Sequence, residues 1–399
     1  MAFPAPDAID HRLLLIGDAG DADRAGEPGL DVLAHQVALL PDRTTVVFLG
    51  DNVYETGMPE PSPVLEGTPV EEILDETLLN LYESRRDAER RVKAQVHAVE
   101  VPGARAVFIP GNHDWDQFGL GGWKRVRELE RYLHELEPVA KVPVSLLPGG
   151  GCPGPVALDL GRRGRLVVLD TQWWLERGEK PAPDDNPTGC AHPTEAGVTD
   201  ALSAELRRAA ADHRTVVVAG HHPLRSRGPH GGWVDPRVHL FPMTMAGSYV
   251  PVFVRWLPLP LLGSLAAWVR AEHSPSAQDM SSATNTHMRR ALEAALETAA
   301  EDGARPIAYA AGHDHGLQVF RGGTAVPYVL VSGLGSHEKV SAVGHDSHTL
   351  FAHADGAHPG LMKIDFLRDG RVRLGVVEWS AETPWGVELY SRMLEPRGR

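Results

Sequence analysis

The chain has few cysteines, fewer basic than acidic residues and no long apolar run among its first ten residues. Its 399 residues include only Cys152 and Cys190, so a disulfide scaffold is excluded, one bond is allowed, and a reducing compartment is slightly favoured. Lys and Arg total 39 against 53 Asp and Glu, a net charge of -14. Nucleic-acid backbones need a basic face, so no such binding is expected. The first ten residues carry two acids and no base, which predicts a cytoplasmic protein or export by a route not visible in the chain.

One apolar run, residues 249–269, is long enough to cross a bilayer. Arg255 lies inside it, and prolines occur at 251, 258 and 260. A spanning helix rarely tolerates that charge and those breaks. We expect a buried or lid-like segment, with peripheral contact to a membrane surface as the alternative.

Short aliphatic runs alternate with helical patterns through most of the chain. Continuous apolar runs of four to six residues are typical of strands buried on both faces, and their alternation with helices predicts an α/β protein built from βαβ units. The predicted strands are 13–16, 45–49, 106–109, 166–169, 215–219 and 307–311. The predicted helices are 69–101, 123–136, 199–213 and 286–302.

The last third of the chain changes character. Four runs there, 328–332, 361–367, 372–379 and 386–394, resemble antiparallel strands. We interpret residues 1–399 as one domain with an insertion or lid at about 236–285 and a C-terminal antiparallel strand region at about 325–399. Three stretches are rich in Gly, Pro, His or Asp, namely 141–155, 175–198 and 336–360. We interpret them as surface loops of this domain and not as linkers between domains.

Five of the predicted strands end alike, with an apolar run, a glycine and then a side chain able to bind metal. The segments are LLLIGDAG, VVFLGDNVY, VFIPGNHD, VVVAGHHP and AYAAGHDH. The carboxyl ends of parallel strands share one sheet edge, where ligands bind, and each glycine permits a sharp turn. The segments therefore bring together side chains from distant parts of the chain, namely Asp18, Asp51, Asn112, His221, His313 and His315.

The donor types define the kind of metal. No thiolate is among them, so a cysteine-rich structural zinc site is excluded. Carboxylate, amide and imidazole donors suit iron, manganese or zinc. Six such residues, with one bridging carboxylate, fit two ions about 3.5–4 Å apart, the spacing that clamps a phosphate ester and activates water.

The motifs resemble those of the calcineurin-like metallophosphoesterases, and more narrowly the tartrate-resistant type of purple acid phosphatase. The matching segments are Asp18-Ala19-Gly20, Gly50-Asp51-Asn52-Val53-Tyr54, Gly111-Asn112-His113, Val218-Ala219-Gly220-His221 and Gly312-His313-Asp314-His315. Tyr54 is the residue that favours the purple acid phosphatases within this superfamily, because other metallophosphoesterases usually lack it. The resemblance spans residues 13 to about 335 and implies a four-layer α/β/β/α sandwich of two mixed β-sheets flanked by helices.

The resemblance also implies a division of ligands between two ions. Asp18, Tyr54 and His315 would hold Fe(III), and Asp51 would bridge to a divalent ion, Fe(II), Zn(II) or Mn(II). The divalent ion would be held by Asn112, His221 and His313. Hard anionic donors suit a trivalent ion, and imidazole with amide suits a divalent one.

Further residues are expected around the phosphate. His113 and His230 match family positions at which non-ligand histidines bind phosphoryl oxygens and protonate the leaving group. Asp114 is expected to orient His113. At the positions of Ala19 and His222, relatives often carry aromatic residues. We expect these two differences to change the wall of the substrate pocket and not the set of metal ligands. Arg225 and Arg227 would offer positive charge to a phosphate.

The expected activity is hydrolysis of phosphomonoesters, small-molecule phosphate esters, through a metal-bound hydroxide. One alternative is a phosphodiesterase acting on a nucleotide or lipid, and another is a non-catalytic phosphate- or lipid-binding protein. Trp173 and Trp174 are expected to pack in the core or at the rim of the site. A late histidine cluster is interpreted as a polar loop near the active edge, with a second metal site as the alternative. Its members are His345, His348, His353 and His358.

Overall fold

The computed structural model describes residues 4–22, 26–61, 73, 75–117, 119–244, 251–336, 341, 343–353 and 358–395. The strands of this part are β1 (Ile9–Ile16), β2 (Thr44–Phe48), β3 (Arg105–Phe108), β4 (Val144–Leu146), β5 (Val156–Leu160), β6 (Gly164–Val168), β7 (Thr215–Ala219), β8 (Ala308–Ala311), β9 (Leu317–Arg321), β10 (Tyr328–Ser332), β11 (Thr349–Ala352), β12 (Gly360–Leu367), β13 (Val372–Ser380) and β14 (Thr383–Leu394). The α-helices are α1 (Pro28–Ala38), α2 (Glu76–His97), α3 (Gly122–Ala140), α4 (Gln172–Leu175), α5 (Glu195–Ala211), α6 (Val252–Arg255), α7 (Pro260–His273) and α8 (Ala283–Glu301).

The strands form two mixed seven-stranded sheets. The first has the order β14-β13-β12-β1-β2-β3-β4, and the second β11-β9-β10-β8-β7-β6-β5. In the first sheet β1 to β4 run parallel, and β12 to β14 extend it antiparallel from β1. In the second, β6, β7, β8 and β10 are parallel. The expectation that 328–332 is an antiparallel strand therefore holds only on its β9 side.

Alternating side chains of the central strands pack on opposite sides of each sheet. Along β1, Leu13 and Leu15 join the apolar cluster between the two sheets, whereas Leu14 and Ile16 pack with the apolar side chains of the helices. Side chains alternate in the same way along β7 of the second sheet, where Val217 faces the first sheet. Burial on both faces explains the continuous apolar runs, and the result is the α/β/β/α sandwich with helices outside.

The predicted helices are all present, and a capping side chain marks the beginning of α2, α5 and α8. The Asp75 side chain accepts a hydrogen bond from Leu78 N, so α2 begins at Glu76 and not at residue 69, and residues 69–72 and 74 lie outside the described part. Thr194 caps α5 in the same way, so that helix begins four residues before the predicted 199. The predicted loops at 141–155 and 336–360 contain the short strands β4 and β11.

The apolar run at 249–269 is not buried, so the expectation of burial is wrong, whereas a lid-like role stays a prediction. Tyr249 and Val250 lie outside the described residues, and the rest forms α6 and α7. The small residues Gly263 and Ala267 face the protein, so the large apolar side chains of α7 point outward. Within the described part of the chain, no helix is long and apolar enough to span a bilayer.

Cys152 and Cys190 form a disulfide, the one bond that their number allowed. It links the segment before β5 to the segment before α5, and it closes a separation of 38 residues.

Candidate metal centre

The proposed ligands lie just beyond the carboxyl ends of β1, β2, β3, β7 and β8. Asp18, Asp51 and His313 have left-handed backbones, with φ of 58°, 55° and 71°. Such angles cost energy in non-glycine residues and persist where the surrounding contacts hold them. Here the backbone turns sharply after each of the three strands. The Asp18 carboxylate also accepts a hydrogen bond from His313 N at 2.8 Å.

Asn112, His221 and His313 converge closely. Asn112 Oδ1 lies 2.8 Å from His221 Nε2 and 2.9 Å from His313 Nδ1, and the two ring nitrogens are 3.2 Å apart. The outer ring nitrogens meet backbone carbonyls, His221 Nδ1 at Leu49 O and His313 Nε2 at Gln278 O, both at 2.8 Å. A carbonyl only accepts, so each outer nitrogen carries a proton.

This arrangement fits a cation better than a proton. Burial, followed by the neighbouring His230 and His222, lowers the pKa of His313 well below its usual range, so its Nδ1 offers a lone pair. Asn112 Oδ1 offers a second, because the amide nitrogen donates to Gln117 Oε1 at 2.7 Å. A proton on His221 Nε2 can be hydrogen-bonded to only one of the two neighbouring lone pairs. A metal cation at this point would instead bind His221 Nε2, His313 Nδ1 and Asn112 Oδ1 together.

Tyr54, Asp18 and His315 form a second group. Tyr54 OH lies 3.1 Å from Asp18 Oδ1 and 3.3 Å from His315 Nε2, and that ring nitrogen is 3.4 Å from Asp18 Oδ1. Burial, reinforced by the carboxylates of Asp18 and Asp51, raises the pKa of Tyr54 well above its usual range. A phenolate at this position therefore requires a compensating cation.

Asp51 lies between the two groups. Its Oδ2 is 3.3 Å from Tyr54 OH in one group and 3.4 Å from His221 Nε2 in the other. Burial favours a neutral Asp51, but the His221 and His113 imidazoles hold its pKa well below the ordinary value. Burial likewise opposes charge on His221, yet Asp51 raises the pKa of that ring to about 9. A carboxylate in this position is suited to bridge two cations.

Glycines permit these close approaches. A Cβ on Gly111 would lie 2.3 Å from both the amide nitrogen and Oδ1 of Asp51, and one on Gly50 would lie 2.4 Å from His221 Nδ1. No real Cβ is found so close to a heavy atom, so the strand ends can meet only with glycine at these positions.

His113 and His230 border the centre from opposite sides. The ring of His113 packs against Tyr54 with centroids 4.3 Å apart, and its Nδ1 is 2.6 Å from Glu55 O. The ring of His230 packs against His313, also at 4.3 Å, and its Nδ1 is 2.7 Å from Asp279 Oδ1. Both histidines therefore lie beside proposed ligands, as expected.

Asp114 does not orient His113, contrary to expectation. Its carboxylate is fully buried and accepts hydrogen bonds from the backbone nitrogens of Asn52, Val53 and Gly111 and from the Asn52 amide. Burial, followed by the charge of Asp51, raises the pKa of Asp114 to about 7. Asp114 thus holds the β2 and β3 loops together.

The remaining predicted residues are His222 and two arginines. His222 is buried against the proposed ligands, its ring centroid 4.5 Å from that of His313, and its ring nitrogens contact Thr171 Oγ1 and Gln278 Oε1. Burial, followed by the charge of His221, lowers the pKa of His222 to about 3. Arg225 and Arg227 line a separate cavity of about 640 Å³ that contains no proposed ligand.

Other residues singled out in the sequence serve the fold. Trp173 and Trp174 are buried, as expected. His353 and His358 approach Glu378 on β13, at 2.7 and 3.6 Å. The described residues contain two groups of three side chains placed to hold a metal, Asp18–Asp51–His221 and His221–His222–His313, and neither includes the late histidines.

Three positioning residues escaped the sequence analysis. Gln117 contacts both Asn112 and the His113 ring, Gln278 accepts from His313 through its backbone, and Asp279 binds His230. Gln117 is only five residues from Asn112, in the turn that follows β3. Gln278 and Asp279 lie between α7 and α8, where no strand or motif marked them.

Residues 11–243, more than half of the chain, match the sequence model of the calcineurin-like phosphoesterases, and the chain belongs to this family. The match includes Asp18, Asp51, Asn112 and His221 and ends before His313. No curated protein sequence matches the chain.

Solved structures share the fold at low sequence identity. The protein described as GAP50, the anchor in the inner membrane complex of Plasmodium, is 13% identical with a TM-score of 0.51, over 96% of this chain and 88% of that one. PhoD is 12% identical with a TM-score of 0.53, over 99% and 72%. A dimetal phosphatase from Danio rerio is 12% identical with a TM-score of 0.43, over 97% and 99%. The first two likenesses show the common fold.

Proposed function

We propose that this phosphoesterase hydrolyses phosphomonoesters at a centre of two metal ions. Family membership supports a phosphoesterase, and the convergence of Asn112, His221 and His313 around one point carries the metal assignment. The separate Tyr54 group, joined through Asp51, supports a second ion.

The donor chemistry supports the division of ions. Asp18, Tyr54 and His315 would hold Fe(III), and Asn112, His221 and His313 would hold Fe(II), Zn(II) or Mn(II). Two cations at this site would supply Lewis acidity, offsetting the charge of the phosphate and easing deprotonation of water.

The chain itself supplies proton donors. The Asp279 carboxylate fixes Nδ1 of His230, and this leaves Nε2 to face a phosphate oxygen or the leaving alkoxide. His230 is about one-third exposed, so a substrate can reach it. Glu55 O fixes Nδ1 of His113, and its Nε2 lies 3.1 Å from the Gln117 amide nitrogen and 3.9 Å from Asp51 Oδ2.

Leaving-group dependence tests the role of His230. Because 4-nitrophenolate leaves without a proton and an alkoxide does not, His230→Asn should reduce kcat for an alkyl phosphate about 100-fold more than for 4-nitrophenyl phosphate. Equal losses for the two substrates would contradict proton donation by His230.

Substrate class is tested by comparing 4-nitrophenyl phosphate with bis(4-nitrophenyl) phosphate on metal-loaded protein. We expect the monoester to be hydrolysed faster, and Asp51→Asn to abolish the activity. Preference for the diester would instead favour a phosphodiesterase acting on a nucleotide or lipid. Metal-loaded protein that hydrolyses neither would favour a phosphate-binding protein.

We infer purple acid phosphatase character from Tyr54. A tyrosinate bound to Fe(III) absorbs visible light, so the iron-loaded protein should be purple and Tyr54→Phe should lose the band. Iron-loaded protein that lacks the band would contradict this assignment.

For the compartment, the disulfide supports the exported alternative over the cytoplasmic one, because such bonds persist where the environment is oxidising. Thiol titration of protein taken directly from its native host separates the two: no free thiol supports export, and two support the cytoplasm.

A further inference from the structure

Helices α6 and α7 present large apolar side chains to solvent. Phe253 is 78% exposed and Leu261 87%, and Trp256, Leu265 and Trp268 are each more than half exposed. We call these five residues the α6–α7 surface. Val252, Leu257 and Leu262 extend it. Exposed apolar side chains grouped in this way usually mark a binding surface.

The orientation of α7 shows that this exposure is built into the helix. Leu261, Leu265 and Trp268 follow the i, i+4, i+7 spacing of one helical face. The opposite face carries Gly263 and Ala267, and a Cβ on Gly263 would lie 2.3 Å from Val238 O. Small residues thus let α7 lie close against the protein, while its large apolar residues point away.

Arginines lie beside this apolar face. Arg237, Arg255 and Arg270 line one cavity with Trp256 and a single acid, Asp235. Residues 235–273 contain three arginines against Asp235 and Glu272, in a chain that has 39 basic and 53 acidic residues. Tryptophan and arginine around an aliphatic face are typical of segments that lie at the boundary of lipid headgroups and acyl chains.

We propose that the α6–α7 surface binds phospholipid bilayers that carry anionic lipid, with α7 lying in the plane of the interface. Its 14 residues extend about 21 Å, shorter than a hydrocarbon core of about 30 Å, so the helix lies on the bilayer and does not cross it. Anionic headgroups complement Arg237, Arg255 and Arg270. A second copy docked through the same surface would instead bring two sets of these arginines together.

Vesicle flotation with the full chain tests the proposal. The vesicles are phosphatidylcholine, with and without about 30% phosphatidylglycerol. The triple variant Phe253→Ser, Leu261→Ser, Trp268→Ser should partition at least about tenfold less than the unmodified protein. The matched control, Leu39→Ser, Leu120→Ser, Trp385→Ser, removes equally exposed apolar groups elsewhere and should partition within about twofold of it.

Two readouts keep the test independent of folding and of the proposed activity. Both variants should keep the melting temperature and the hydrolysis of soluble 4-nitrophenyl phosphate. Brominated phosphatidylcholine should quench tryptophan fluorescence in the unmodified protein, and Trp256→Phe with Trp268→Phe should remove that quenching.

The proposal is overturned if the unmodified protein does not float with vesicles, or if both triple variants float equally. A dimer that the first variant dissociates, without vesicle binding, would show that a second copy covers this surface.

Discussion

Gly111 leaves the space that the Asp51 carboxylate occupies, and the bridging position depends on it. Gly111→Ala would place a Cβ 2.3 Å from two atoms of Asp51, so the carboxylate or the β3 loop must move. We expect loss of bound metal and activity, and a destabilisation of about 1–3 kcal/mol. Metal content and urea unfolding measure the two effects.

Gly323→Ala is the matched control, because nothing lies within 4 Å of a Cβ there. It should keep metal, activity and stability. Equal behaviour of the two variants would mean that packing at Gly111 does not position Asp51.

The proposed ligands could be recognised in the sequence because each one follows a predicted strand and a glycine. The structure brings all seven together. The partners that orient them were less visible. Asp279 follows no strand, and Asp114 turned inward because the backbone nitrogens of two loops needed an acceptor.

At the scale of elements, His11 on β1 makes the first sheet sensitive to acid. Burial, followed by the positive charge of Arg105, lowers its pKa to about 4, and Nε2 bonds to Thr45 Oγ1. The unfolded chain binds this proton near pH 6.5, so the free energy of unfolding falls as the pH drops from about 6.5 to 4.

His11→Gln should lessen that loss by up to about 3 kcal/mol, since glutamine stays neutral and can bond Thr45. Urea unfolding of both proteins at pH 7 and pH 4.5 measures the difference. An identical pH dependence would show that His11 does not contribute.

The disulfide ties the segment between β4 and β5 to the segment between α4 and α5. Closing a loop of 38 residues reduces the entropy of the unfolded chain, so Cys152→Ser with Cys190→Ser should cost about 3–4 kcal/mol. Thermal unfolding measures this loss. Dithiothreitol should destabilise the unmodified protein by the same amount and leave the double variant unchanged. An unmodified protein insensitive to reductant would contradict the role of this bond.

Element types followed from the sequence where burial is two-sided, as in β1, β2 and β7. Element ends did not, because single capping side chains such as Asp75 and Thr194 set them. β4, β5 and β11 were missed because each lies at an edge of its sheet and lacks a continuous run of fully buried residues.

For the whole molecule, the two sheets put their strand ends at one place and so assemble the centre. The α/β class followed from alternating strands and helices. The pairing of β12 with β1 joins residues about 350 positions apart, and no local pattern reveals it. Hydropathy alone favoured burial of the run that contains α7, and its outward apolar face agrees instead with the exposure that the alternative of membrane contact requires.

Metal content is the most direct test of the central claim, that these seven side chains hold two ions. Elemental analysis of the protein purified with iron and zinc supplied should give about two ions per chain. Asp51→Asn should retain less than half of that metal, and Asp200→Asn, an exposed carboxylate far along the chain on α5, should retain all of it. An unmodified protein that binds no metal, or an Asp51 variant that still binds two ions, would contradict the account.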